Sequence, residues 1–192
     1  MPMPVAAIIV AAGASTRLGQ PKQLVKINGE SLLQRAIRCV QQAGASPVFV
    51  VLGSDRELIR NAIDFGAVSI VVSENWEEGM ASSIRAGVQA AAGSEGLLLM
   101  TCDQPRVTAE HVRAMIETFE GRPEPVLVAS TYAGVRGTPV IFPREAQGAL
   151  LALRGDTGAR SLLQQPHWPV ISLPLEGGEI DIDCPDDLKS IR

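Results

Sequence analysis

Runs of Val, Ile and Leu alternate with stretches of helical period along the whole chain. Unbroken apolar segments predict strands at Val5–Ala12, Pro47–Leu52, Val68–Val72, Gly96–Thr101, Val126–Ser130, Thr138–Phe142 and Val170–Leu173. Between them Leu33, Ile37 and Val40 share one helical face, as do Leu58, Ala62 and Ile63, and again Ile84, Val88 and Ala91. These read as crossover helices. Strand, helix and strand in that order predict a Rossmann-like three-layer α/β sandwich, a mostly parallel sheet whose ligand sites lie at the carboxyl ends of the strands. The stretch GVRGTPVIF, residues 134–142, breaks the rhythm and predicts a hairpin that inserts one antiparallel strand. With no linker, repeat or low-complexity tract in view, residues 1–192 are expected to form a single domain.

Composition narrows the partner. Of 192 residues 46% are apolar but only 4% aromatic, as suits buried parallel strands of Val, Ile, Leu and Ala. The net charge of −4 with no block of like charges argues against a nucleic-acid or anionic-membrane surface and leaves a small molecule as the expected partner. Cys39, Cys102 and Cys184 are odd in number and lack a C-x-x-C pair, so neither a disulfide framework nor a zinc site is expected, and a reducing cytoplasm fits. The apolar run from Val5 has no basic stretch before it and is far shorter than the roughly 20 residues of a membrane span, so it reads as a first strand.

The segment after that strand is chemically unusual. The next helical pattern starts only near Ser31, whereas a strand-to-helix loop commonly has about 2–6 residues. In the intervening loop Gly13 and Gly19 permit sharp turns and exposed N–H groups, while Arg17 and Lys22 add two cations to an acidic protein. That combination suits a polyphosphate. It is neither a Walker A loop, because Lys22 stands three places beyond Gly19 with no Ser or Thr after it, nor a G-x-G-x-x-G fingerprint.

Asp103 directly follows an apolar strand, and Asp183 lies in DIDCPDD near the other end of the chain. Two acids converging from distant loops would hold Mg²⁺, which takes one or two protein carboxylates and completes its shell with phosphate oxygens and water. Either acid could instead cap a helix, and Asp186 and Asp187, just after Pro185, are assigned that capping or dipole role. Asp181 would face away from Asp183 in an extended segment, so Asp183 is preferred as the ligand.

The stretch AAGASTRLGQPK, Ala11 to Lys22, resembles the signature loop of nucleotidyltransferases with the nucleotide-diphospho-sugar transferase fold, and within them the branch of molybdenum cofactor cytidylyltransferases. The resemblance continues in order through NWEEGMASSIRAG, TCDQP, GTPVIF, GDTGAR and DIDCPDDL, with Leu18 where methionine is frequent. It implies transfer of CMP from CTP to the phosphate of molybdopterin or the molybdenum cofactor, with pyrophosphate leaving. It further implies that Asp103 and Asp183 hold Mg²⁺, and it admits a molybdoenzyme as client or delivery partner without naming which. Arg17, Lys22 and Asp103 would be the catalytic residues. Ala11, Ala12, Gly13, Arg17, Lys22, Gly79, Ser83 and Asp103 would bind the nucleotide. The choice of cytidine rests on Ala11 to Gly13.

The small first turn Ala81, Ser82 and Ser83 of the helix starting near Met80 reads either as an open anion or sugar site or as ordinary capping with Trp76 as a packing residue; the resemblance favours the site. Arg136, Gly137, Asp156 and Arg160 are expected on the acceptor side, although each fits a hairpin turn or a cap as well. His111 and His167, each solitary, are read as structural or solvated. Cys102 and Cys184 each adjoin a candidate metal acid, yet buried thiols are the plainer reading. Other classes consistent with the same residues are transfer to a sugar phosphate or polyol phosphate and a nucleotide-binding delivery protein without chemistry; a glycosyltransferase is suggested only by Asp181-x-Asp183, and the basic opening loop speaks against it.

Overall fold

The computed structural model describes residues 5–164 and 167–189. β1 (Val5–Ala11) is buried at every position because it is central and covered on both faces. Then come a short antiparallel pair, β2 (Lys26–Ile27) and β3 (Glu30–Ser31), helix α1 (Leu32–Ala43), β4 (Val48–Leu52), α2 (Arg56–Ala62), β5 (Ser69–Val72) and α3 (Met80–Ala90). The second half holds β6 (Gly96–Thr101), α4 (Ala109–Glu120), β7 (Leu127–Tyr132), β8 (Val135–Pro143), α5 (Gln147–Leu151), α6 (Arg160–Gln164) and β9 (Val170–Pro174).

The main sheet has the order β5-β4-β1-β6-β8-β7-β9. β1 pairs in parallel with β4 and β6, and β7 with β9, while β8 runs antiparallel to both of its neighbours. The expected antiparallel insertion is therefore β8, entered through Ala133 and Gly134, both at positive φ. Period-2 alternation divides β1 between two cores: Val5, Ala7, Ile9 and Ala11 face α1, α2 and α4, whereas Ala6, Ile8 and Val10 face α3, α5 and α6.

Two details depart from the sequence reading. In α2 Leu58 is exposed, and Ile59 with Ile63 just beyond the helix forms the buried pair instead. A seven-residue helix has room for only one apolar contact line, and i, i+4 spacing supplies it. The opening connection also holds structure of its own, the 3₁₀ turn Lys22–Leu24 and the β2–β3 pair.

His111 is structural, as expected: Ser130 Oγ donates to the Pro139 carbonyl at 2.8 Å and accepts from His111 Nε2, also at 2.8 Å. Burial holds this imidazole below the usual histidine range. No helix among the described residues is long and apolar enough to cross a membrane.

The contact between α3 and the sheet requires Gly87, where a Cβ would overlap Ile8 Cγ2 and lie 3.0 Å from Val51 Cγ2. Gly87→Ala is expected to destabilise the fold by about 1–2 kcal/mol despite the better helix propensity of Ala, because overpacking costs more than propensity returns. Urea denaturation measures it, and an unchanged midpoint would contradict the close packing.

Candidate nucleotide and metal site

The first loop leaves β1 with its backbone held from outside. Gln23, itself buried, donates from Nε2 to the carbonyls of Ala11 (2.7 Å) and Gly13 (3.3 Å), and Ser54 N–H donates to the Ala12 carbonyl at 3.0 Å. With these carbonyls fixed, the N–H groups of residues 13–17 take no acceptor among the described residues. A run of unbonded amide donors at a strand end is an anion cradle. Gly19 does turn the loop, at φ +74, but Gly13 does not adopt a positive φ, and a Cβ there would meet nothing within 4 Å. Its small size instead leaves open the cleft it lines.

A small separate core carries the loop across the molecule. Leu18 and Val25 pack with Leu32 of α1 and Ile182 from the far end of the chain. Ile182 is fully buried between Asp181 and Asp183, and its N–H donates to the Asp103 carbonyl at 3.0 Å. The two acids expected to converge therefore do so. Lys22 Nζ lies 2.8 Å from Asp103 Oδ2 and 2.5 Å from Asp183 Oδ1, and Arg17 Nη2 lies 3.1 Å from Asp183 Oδ2. Lys22 and Asp103 are each 17% exposed, whereas Arg17 is 74% exposed, so the lysine sits within the cluster and the arginine at its rim.

Charge compensation tunes these groups. Burial alone would lower the Lys22 pKa, but Asp103 and Asp183 hold it above the ordinary lysine value. The hydrogen bond from Lys22 holds the Asp183 carboxyl below the usual range. Partial burial, then the neighbouring charges of Asp103 and Asp183, push Asp181 up to about 7, with Lys22 pulling the other way. Asp181 thus belongs to the electrostatic neighbourhood of the site, although its spacing from Asp183 pointed elsewhere.

Asp187 has the capping role assigned to it, since its Oδ2 accepts from Asp183 N–H at 2.8 Å and Cys184 N–H at 2.7 Å. Asp186 pairs with Lys189 Nζ at 2.6 Å. Cys102 is a core thiol that burial pushes up to about 12, and Cys184 is half-buried.

Beside the charged cluster a cleft of about 250 Å³ is lined by Val10, Ala12, Gly13, Trp76, Gly79 and Ser83 among others. Gly53, unremarked in the sequence, sets one wall: a Cβ there would lie 2.6 Å from Trp76 Cγ and 2.7 Å from the Ala12 carbonyl oxygen. A glycine closing a buried strand was its only signal. The first turn of α3 is not the open anion site that its small residues pointed to. Met80 N–H donates to Asp156 Oδ1 at 3.3 Å, Ala81 N–H to the Gly155 carbonyl at 3.1 Å, and Ser83 Oγ to Ser73 Oγ at 3.2 Å. A turn some 75 positions later thus caps this helix, and Gly79 at φ +111 has no room for a Cβ against the Asp156 backbone. Gly79 and Ser83 line the cleft without offering a free helix terminus.

Gln104 also went unnoticed in the sequence. Buried beside Asp103, its Nε2 donates to the carbonyls of Gly178 (2.9 Å) and Thr138 (3.1 Å), and its Oε1 accepts from Thr138 Oγ1 (2.9 Å). Two tethers, this amide and the Ile182 N–H, thereby fix the acidic C-terminal segment to the Asp103 loop.

Asp103 and Asp183 supply oxygen donors from separate loops to one cation, here the Lys22 ammonium, and carboxylate oxygens are the ligands that Mg²⁺ and Mn²⁺ prefer. No group of three or more His, Cys, Asp or Glu among the described residues is arranged to hold a metal. With two carboxylates, Asp103 and Asp183, the donor set fits an ion that completes its shell with substrate oxygens and water.

The mostly parallel sheet between two helical layers makes this a Rossmann-like α/β domain of nucleotidyltransferase type. The chain belongs to the MobA-like NTP transferase domain family, whose model matches residues 7–170. It is 30% identical over 193 residues to nicotine blue oxidoreductase of Paenarthrobacter nicotinovorans, covering 95% of this chain and 88% of that protein. Over 106 residues it is 30% identical to a probable molybdenum cofactor guanylyltransferase of Opitutus terrae, covering 54% of this chain and 50% of that one. Among solved structures it matches Rv0371c of Mycobacterium tuberculosis with a TM-score of 0.87, 29% identity and coverage of 98% and 97% of the two chains. A second structure of Rv0371c, in complex with manganese, matches with a TM-score of 0.82, 26% identity and coverage of 98% and 97%.

The raised Asp181 carboxyl sets a pH dependence. Its pKa rises from 3.8 unfolded to about 7 folded, so the folded state binds the extra proton, and the stability this contributes is lost as pH rises through about 7. In metal-free protein the urea midpoint of Asp181→Asn should fall less than that of the wild type between pH 5 and pH 8. Parallel curves for the two proteins would contradict the assignment.

Proposed function

We propose that the protein is a nucleotidyltransferase that moves CMP from CTP to the phosphate of molybdopterin or the molybdenum cofactor. A phosphate oxygen of the acceptor attacks the α-phosphorus of CTP, the bond to the bridging oxygen breaks, and pyrophosphate leaves with the electron pair. The observation that carries this reading is the meeting of Lys22, Asp103 and Asp183 beside a run of unbonded amide donors. Such transfer asks for positioning and charge neutralisation rather than covalent work by the protein.

In this reading the cleft between Gly13, Trp76, Gly79 and Ser83 takes the nucleoside. The backbone of residues 11–17 cradles the triphosphate, and Arg17 and Lys22 neutralise its charge. Asp103 and Asp183 would hold the divalent ion, Mg²⁺ by preference, which would supply Lewis-acid stabilisation of phosphate charge. The manganese complex of Rv0371c supports a divalent ion in this fold. An acceptor that is already an ionised phosphate needs no general base.

A second cleft, of about 180 Å³, suits the acceptor. It joins the arginines Arg136 and Arg160 to the apolar side chains of Val135 and Leu163, a pairing of cation and flat apolar contact that matches a phosphorylated pterin. The resemblance at Ala11 to Gly13 favours cytidine, whereas the Opitutus relative's name makes GTP the competitor to test.

Pyrophosphate release by purified protein with Mg²⁺ and molybdenum cofactor should be selective for CTP over GTP and ATP. Asp103→Asn should abolish it, and Lys22→Met should lower turnover by about 10²–10³, the scale for one preorganised electrostatic donor. Release with GTP alone would move the base choice. Release only with a sugar phosphate would move the acceptor, and saturable CTP binding without release would leave a delivery role. Arg136→Met with Arg160→Met should raise KM for the acceptor and spare that for the nucleotide; equal rises in both would remove this cleft from the acceptor side.

A further inference from the structure

Both cations that the phosphate reading requires are engaged with carboxylates. Arg17 reaches Asp183 from an exposed position. Lys22 differs, because its single ammonium bridges Asp103 and Asp183 from a largely buried position, with Nζ at 2.8 and 2.5 Å from the two oxygens. A divalent ion shared by those carboxylates needs the same oxygens. An ammonium and a divalent cation cannot both sit between them at hydrogen-bonding or coordination distance without strong like-charge repulsion.

We propose that Lys22 is a built-in competitor for the metal position: in the absence of nucleotide its ammonium fills the place between Asp103 and Asp183, and a triphosphate opens that place by drawing the ammonium onto its own oxygens. This rests on the reading of Asp103 and Asp183 as the carriers of a divalent ion. It adds an order to binding, since free metal must displace the ammonium and binds weakly alone, so metal is favoured with, or after, the triphosphate. The lysine does not have to travel far to change partners, because its backbone is anchored. Lys22 N–H donates to Ser15 Oγ at 3.0 Å, and Leu18 and Val25 on either side are fixed in the Ile182 core. Only the side chain has to swing, from the carboxylates towards the amide donors of residues 13–17. Metal and triphosphate would then favour each other through one residue, a coupling that is necessarily reciprocal.

The discriminating experiment is Mn²⁺ binding to the protein alone, followed by electron paramagnetic resonance of the free ion, with no nucleotide or acceptor present. Lys22→Met should bind Mn²⁺ more tightly than the wild type, by roughly 5–150-fold, the usual span of coupling between sites. Lys22→Arg, which keeps a cation on the same backbone, should remain close to the wild type. Adding Asp103→Asn to Lys22→Met should remove the gain. If Lys22→Met binds Mn²⁺ no better than the wild type, or if the gain survives Asp103→Asn, the competition is refuted. Thermal unfolding of each variant establishes that it is folded, and Lys22→Gln replaces Lys22→Met if the latter is not. Because the titration contains neither CTP nor acceptor, an absence of pyrophosphate release would overturn the transfer reading while leaving this result standing.

Discussion

Two carboxylates held close together repel each other, and the structure depends on the cation placed between them. Asp103 and Asp183 come from positions 80 residues apart in the chain, and each touches the ammonium of Lys22, contributed by a third segment. Removing the cation would leave two partly buried like charges with nothing to offset their desolvation. The three segments accordingly have their own adhesion. Leu18, Val25, Leu32 and Ile182 form a core separate from those on the two faces of the sheet, and the tethers from Gln104 and Ile182 tie the acidic segment to the Asp103 loop. The electrostatic arrangement is thus positioned by apolar burial and amide hydrogen bonds, which salt does not screen.

A second theme is close approach at glycine. Gly53 admits Trp76, Gly79 admits the Asp156 backbone, and Gly137 with Gly178 sandwiches Tyr132, whose hydroxyl accepts from Gln104 Nε2 at 3.3 Å. Gly53, Gly79 and Gly178 join segments that are remote in sequence, whereas Gly137 and Tyr132 face each other within one hairpin. Fixing walls by backbone-to-side-chain contact leaves few rotamers to order when a ligand arrives, which favours binding.

Much of this architecture was legible in the chain. Buried parallel strands declare themselves as continuous apolar runs, and the break at residues 134–142 marked the antiparallel β8. The length and charge of the opening loop, with the isolated acids Asp103 and Asp183, singled out the segments that meet. What stayed hidden depended on partners far away in sequence. The first turn of α3 reads as open until Gly155 and Asp156 are seen to cap it. Gln104 reads as a polar loop residue until its amide is found buried and bonded to the carbonyls of Thr138 and Gly178. Leu58 and Ile59 differ by one position, and only the face that α2 turns to the core decides which is buried.

The length of the opening loop has its cause in the same geometry. A short turn would have joined β1 to α1, but it would have carried no side chain to the position where Asp103 and Asp183 meet. The extra residues cost conformational entropy, which grows only slowly with loop length. They recover order through contacts within the loop: Ser15 O accepts from Leu18 N–H, Ser15 Oγ accepts from Lys22 N–H, and Leu18 and Val25 are buried. The loop is therefore tight where it carries Lys22, while the N–H groups of residues 13–17 take no acceptor among the described residues. A preorganised cation beside uncommitted donors is what a polyanion requires, and the carboxylates that hold the lysine keep that arrangement in register before any ligand arrives.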